Sequence, residues 1–157
     1  MKLQSMKHLK KIDPDNFPAG DKLENMLRLQ KELNQSVYPK VMNNLGILSS
    51  DEEVEWLMSH EEVREWLMSH EEVREKLSKE YLLAIIREAC EALDLLNSKA
   101  WKDKKHPIDL HEFKYELIDK QHFLNSLYDI WEMSADEVFG IFMSKYRENV
   151  RRHKDGY

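Results

Sequence analysis

Cysteine, glycine and proline are all scarce in this 157-residue chain, which has one Cys, four Gly and four Pro. The lone Cys90 excludes an internal disulfide framework and gives no sign of an oxidising compartment. No apolar run approaches the length of a membrane span. The N-terminus also lacks the apolar segment of a signal peptide, so no membrane partner is expected. Positive charge is not in excess either: the formal net charge is −6, which argues against bulk nucleic-acid binding. Basic residues gather only near the end, where Lys145, Arg147, Arg151, Arg152 and Lys154 face a single Glu148. With 41% hydrophobic and 34% charged residues, the composition reads as one helical, soluble, cytoplasmic domain.

Residues 1–20 contain Asp13-Pro14 and Pro18-Ala19-Gly20 and read as a poorly ordered arm before a single domain over 21–157. Asp21 is placed to cap a helix from Lys22 to about Ser36, with Leu23, Met26, Leu27, Leu29 and Leu33 as its apolar positions. Pro39 is expected to end it. A tandem repeat follows at about 50–76: Glu-Trp-Leu-Met-Ser-His-Glu-Glu-Val occurs at 55–63 and again at 65–73. Ten residues advance a helix by about 280°, so the two copies cannot share a face. Ser59-x-x-Glu62 and Ser69-x-x-Glu72 fit capping boxes, which leaves several short helices or one long one open. The repeat reads as a tolerated insertion.

Lys79 to Leu96 is strongly helical, with Leu82, Ile85, Ile86, Ala89, Leu93 and Leu96 as its stripe. After a linker over 97–108, Asp109-x-x-Glu112 opens another helix, whose stripe is Phe113, Leu117, Phe123, Leu124, Leu127 and Trp131. Glu116 falls inside that stripe. Ser134-x-x-Glu137 caps a last helix running toward Arg152. The pattern is that of an all-α helical bundle.

Two acidic pairs stand out, Glu88-x-x-Glu91 and Glu116-x-x-Asp119. Residues three apart share a helix face, so each pair can aim two carboxylates at one point. Four such charges together are tolerable only with cations between them, and hard oxygen ligands suit Mg²⁺. Metal-assisted attack on phosphates is the chemistry this suggests. Solvated acidic faces are common, however, and spacing alone does not decide between the two. Glu116, on an apolar face, fits the solvated reading poorly. Cys90 reads as a small buried residue and His122 as a structural one.

The surrounding residues carry a resemblance. Arg87-Glu-Ala-Cys-Glu-Ala-Leu-Asp94, Ala100-Trp-Lys-x-x-Lys105 and Tyr115-Glu-Leu-Ile-Asp-x-x-His-Phe123 resemble the all-α dimeric dUTPases, relatives of the MazG-like nucleotide pyrophosphatases. Leu23-Glu-Asn-Met-Leu-x-Leu-Gln-x-x-Leu-Asn34 is similar to that family's first motif. Lys145-x-x-x-Asn149-x-x-Arg152-x-x-x-Gly156-Tyr157 is similar to its last. The chain departs from the pattern at Lys104 and Tyr81, where the family usually has Trp, and the repeat has no counterpart.

The resemblance implies Mg²⁺-dependent hydrolysis of dUTP to dUMP and pyrophosphate by a homodimer. Glu88, Glu91, Glu116 and Asp119 would hold the metal, and Glu88 would also orient or deprotonate the attacking water. Gln30 and Asn34 would read the base edge. Trp101, Lys102 and Lys105, with Lys145, Asn149, Arg152 and Tyr157, would contact the rest of the nucleotide. The competing readings are a broader dCTP/dUTP or MazG-like pyrophosphatase, and a non-catalytic helical interaction module using the Trp-containing repeat.

Overall fold

Asp21 caps the first helix as expected, its side chain accepting from the Glu24 N–H at 2.9 Å. That helix, α1, spans Lys22–Asn44 and passes straight through Pro39. Pro39 removes one helical donor, yet it is fully buried, and Tyr38 just before it and Met42 on the following turn belong to the core. Burial of that second half outweighs one lost hydrogen bond, so the proline does not end the helix. In this computed structural model the described residues are 18–59, 65–66, 69–97, 101 and 106–156.

Helix α2 spans Asp51–Ser59. Ser50 Oγ accepts from the Glu53 N–H, and Glu53 accepts in return from the Ser49 N–H at 2.7 Å, a cap the repeat had obscured. Helix α3 is longer than its sequence signal, running over Glu71–Leu95. The expected Ser69 capping box is not formed. His70 holds the N-cap position without a side-chain bond, and the Ser69 hydroxyl donates to the Trp66 carbonyl instead. The Ser59–Glu62 cap lies outside the described residues. The two copies of the repeat do face differently: Trp56 is exposed, whereas Trp66 packs against the core.

Helix α4 spans Leu110–Ile130, with Asp109 accepting from the His111 and Glu112 N–H groups. Helix α5 spans Ala135–Lys154, with Ser134 as its cap. Among the described residues all regular structure is helical.

The closest packing is α3 against α4, with α1 laid across α4 and α2 folded onto α1. The core gathers Tyr38, Met42, Leu48, Leu57, Val73, Leu77, Tyr81, Leu127 and Ile130. Helix α5 touches α1 and buries none of its own residues. The expected apolar stripes are only half right. Leu82, Ile86 and Leu93 of α3, and Met26, Leu29 and Leu33 of α1, stay exposed. On α1 the buried positions are instead Gln30, Asn34, Tyr38, Pro39 and Met42. Cys90 also is exposed, which corrects its reading as a buried filler. The core face of α3 runs through Tyr81 and Ala92, and Cys90 points about 200° away from Ala92 around the helix.

Candidate active site

The α3–α4 pair brings the acidic residues together. One ligand oxygen from each of Glu88, Glu116 and Asp119 lies within 4.8 Å of the other two. Glu116 is only 7% exposed, and Glu88, Glu91 and Asp119 are half-buried. Burial, followed by the charges of Glu91, Glu88 and Asp119, pushes the Glu116 carboxyl up to about 7. Glu88 is also raised, by burial and then by Glu91 and Asp119, while its hydrogen bond with Glu116 and the Arg87 charge oppose the rise. Burial raises Asp119 as well, with His122 opposing.

Burial is the largest cause in all three, and for Glu88 and Glu116 the neighbouring carboxylates add to it, as expected of acids crowded together. Glu91 stands outside the group of three but acts electrostatically on both Glu88 and Glu116. Moreover, Oε2 of Glu91 and Oε2 of Glu116 are buried with no hydrogen-bond partner. Orphaned acceptors in an all-oxygen donor set fit a hard divalent cation.

Ile118 and His122, which flank Asp119 along α4, help to line a pocket of about 500 Å³. Met26, Leu29, Leu33 and Ile118 form its apolar walls, and Gln30, Gln121, His122 and Asn125 give it polar groups. Apolar walls with a few convergent polar groups are what a small-molecule site requires. A slightly larger groove, of about 560 Å³, lies between the start of α1 and the α4–α5 corner. Neither pocket is lined by the clustered acids, but the smaller one takes Ile118 and His122 from the stretch of α4 that carries Asp119.

The polar side of that pocket continues into a buried network. Gln30 Nε2 donates to Asn34 Oδ1 at 3.0 Å and to Ser126 Oγ at 3.1 Å. Asn34 Nδ2 donates to Asp129 Oδ2 at 3.0 Å and to Tyr38 Oη at 2.7 Å. At the pocket end, Gln30 Oε1 lies 2.7 Å from His122 Nδ1. A second amide pair of the same i,i+4 spacing lies on α4, where Gln121 Nε2 donates to Asn125 Oδ1 at 2.7 Å. The sequence reading passed over Gln121, Asn125, Ser126 and Asp129, and gave His122 no role in a site. The repeated Gln-x-x-x-Asn spacing on α1 and α4 was the signal available.

Other expected contacts are not gathered here. Trp101 stands exposed on the linker. Lys102, Lys105 and Tyr157 lie outside the described residues. Lys145, Asn149 and Arg152 are exposed on α5, and Arg152 Nε donates to Glu148 Oε1 at 2.9 Å. The charges shifting Glu88, Glu116 and Asp119 come from those acids themselves, Glu91, Arg87 and His122, with none from α5.

Fold and site thus define an all-α protein with a cluster of carboxylates that could hold a cation and a pocket nearby on the same helix. The dUTPase family matches residues 22–137, from the start of α1 into α5, and the chain belongs to that family. Over 55 residues it is 34% identical to the dCTP pyrophosphatase of Enterobacteria phage T4, covering 35% of this chain and 32% of that protein. Over 51 residues it is 41% identical to the dCTP pyrophosphatase of Enterobacteria phage LZ5, covering 32% of this chain and 30% of the relative. The chain therefore spans about a third of the length of the curated relatives it matches. No solved structure matches it.

Proposed function

We propose that this protein hydrolyses dUTP to dUMP and pyrophosphate, with Mg²⁺ as its metal. The observation that carries the reading is the convergence of Glu88, Glu116 and Asp119 beside a pocket with amide groups on its polar side. Glu88, Glu91, Glu116 and Asp119 would hold the metal. When bound, Mg²⁺ neutralises phosphate charge and lowers the pKa of water. Glu88 would orient the attacking water and take its proton, helped by a carboxyl already raised above the ordinary range. Met26, Leu29, Leu33 and Ile118 would exclude solvent from the base, and Gln30 and His122 would meet its polar edge. Asn34 acts behind Gln30, bonded to it and 1% exposed.

A second reading, turnover of dCTP as well as dUTP, is favoured by the names of the two relatives and by the amides, which can donate or accept. A non-catalytic interaction module is disfavoured because all four carboxylates are present and two of their oxygens lack partners.

The protein acts as a homodimer in this reading. Helix α5 exposes Phe139, Ile141, Phe142, Tyr146 and Val150, and the unpaired leucines and isoleucines of α1, α3 and α4 add to the apolar surface. So much apolar surface is unusual for a monomer and suits a bundle completed by a second copy. Phosphate contact by Lys145, Asn149 and Arg152 requires α5 to be brought over a catalytic face, which covering that stripe can do.

The test is pyrophosphate release from dUTP, dCTP, dTTP and UTP with Mg²⁺, for wild type and Glu88→Gln. Selective dUTP turnover that falls at least about a hundredfold in the variant supports the reading. Equal turnover of dCTP moves the protein to the broader class. Turnover that persists in Glu88→Gln removes the assignment of Glu88.

A further inference from the structure

The network behind Gln30 has a direction, and one residue sets it. Asp129 presents a carboxylate, which only accepts hydrogen bonds. The Asn34 atom 3.0 Å from Asp129 Oδ2 must therefore be its amide nitrogen. That turns Asn34 Oδ1 toward Gln30 and Ser126 Oγ, so the Gln30 atom facing it must also be a nitrogen. Gln30 is left with its carbonyl oxygen at the pocket, against His122 Nδ1. The hydroxyls of Tyr38 and Ser126 can rotate to follow either direction, and the two carboxamides can turn over. Asp129 is the fixed acceptor that decides between them.

We propose that Asp129 is a positioning residue for base choice: through Asn34 it locks the Gln30 carboxamide with its acceptor toward the nucleobase. The proposal rests on the reading that this pocket holds the base. Asp129 lies on the far side of Asn34, where it also accepts from the Tyr38 hydroxyl at 3.0 Å, and acts on the base through the amides. Uracil and cytosine differ in this respect, because uracil N3 carries a proton and cytosine N3 does not. A locked acceptor offers the base one fixed pattern, whereas an amide free to turn offers both. The chain also dictates the His122 tautomer. Against Gln30 Oε1 the neutral imidazole must carry its proton on Nδ1.

Substituting Asp129→Asn supplies an amide that can donate or accept. The whole chain can then reverse: Asn34 Oδ1 turns to residue 129, Gln30 Nε2 turns to the pocket, and His122 becomes an Nδ1 acceptor.

The experiment has two readouts on the full chain. Nitrogen-15 NMR of wild type at a pH where His122 is neutral should give the Nδ1–H tautomer. Asp129→Asn should show the Nε2–H form. The ratio of kcat/KM for dUTP and dCTP should move toward one by about tenfold or more in the variant. A melting curve and Asn34→Ala, which cuts the chain without touching Asp129, accompany it, and Asn34→Ala should narrow the ratio as well. An Nε2–H wild type overturns the proposal, and that measurement needs no variant to fold. A wild-type ratio already near one, or an unchanged ratio in a folded variant, overturns the role in base choice. If wild type hydrolyses neither nucleotide, the enzymatic reading fails, and the tautomer alone upholds or removes the directional chain.

Discussion

Replacing Glu116 by Gln should stabilise the metal-free protein, although it removes a proposed ligand. The Glu116 carboxyl is raised from 4.5 to about 7. The folded chain thus binds that proton more tightly than the unfolded chain. Stability is lost as pH rises from about 4.5 to about 7 and does not return above it. The shift corresponds to at most about 3 kcal/mol, at 1.36 kcal/mol per pKa unit. Water reaching the half-buried partners screens this to roughly 1–2 kcal/mol. Gln keeps the size and cannot ionise. At pH 8 without metal, urea denaturation should therefore place Glu116→Gln above wild type by about 1–2 kcal/mol, or roughly 3–6 °C in Tm. The advantage should shrink toward pH 4.5. Millimolar Mg²⁺ should raise the wild-type Tm and do much less for the variant. A variant less stable than wild type at both pH values would refute the reasoning, as would a gain independent of pH.

Tyr81→Phe should leave stability unchanged or raise it by up to about 1 kcal/mol in urea, because the Tyr81 hydroxyl is buried without a partner. Burial and the Asp129 charge hold its ionisation well above the usual tyrosine range, so the variant should not alter the pH dependence of unfolding below pH 9. Met42→Ala, at a fully buried core position, should cost about 2–5 kcal/mol by the same assay. Asp21→Ala removes the α1 cap and should cost about 1 kcal/mol, read as a loss of melting temperature. Phe142→Asp, on the exposed stripe of α5, should turn a dimer into a monomer by sedimentation velocity. A wild-type monomer would remove the homodimer from the reading.

Local signals carried the helices well. Asp21, Asp109 and Ser134 cap as their short polar side chains suggest, because a cap needs only backbone within three residues. Glu116 was legible as a misfit, an acid on an apolar stripe, and it is buried among other acids. What failed were features decided by distant partners. The partners of Gln30 and Asn34 in Ser126, Asp129 and His122 lie more than 90 residues away, so the burial of two amides among leucines had no local sign. Pro39 was read as a stop because the weight of the core beyond it cannot be seen in the flanking residues. The exposed leucines of α1 and α3 obey the right period but find no cover among the described residues. His122 was read as a structural histidine on the core side of its helix, and its position between Gln30 and Asp119 came from the α1–α4 crossing.

Pro39 leaves a further mark on α1. The carbonyl of Gln35, four residues earlier, receives no helical donor from position 39. The missing rung falls between the two jobs of the helix, with Gln30 and Asn34 before it and Met42 after it. Such a gap is a soft seam at which a helix bends most easily. The leading half can then settle onto a ligand by a few degrees while the trailing half stays clamped in the core. Amide hydrogen exchange should divide there as well, with slow protons around Met42, faster ones around Gln30, and the difference narrowing once the pocket is filled.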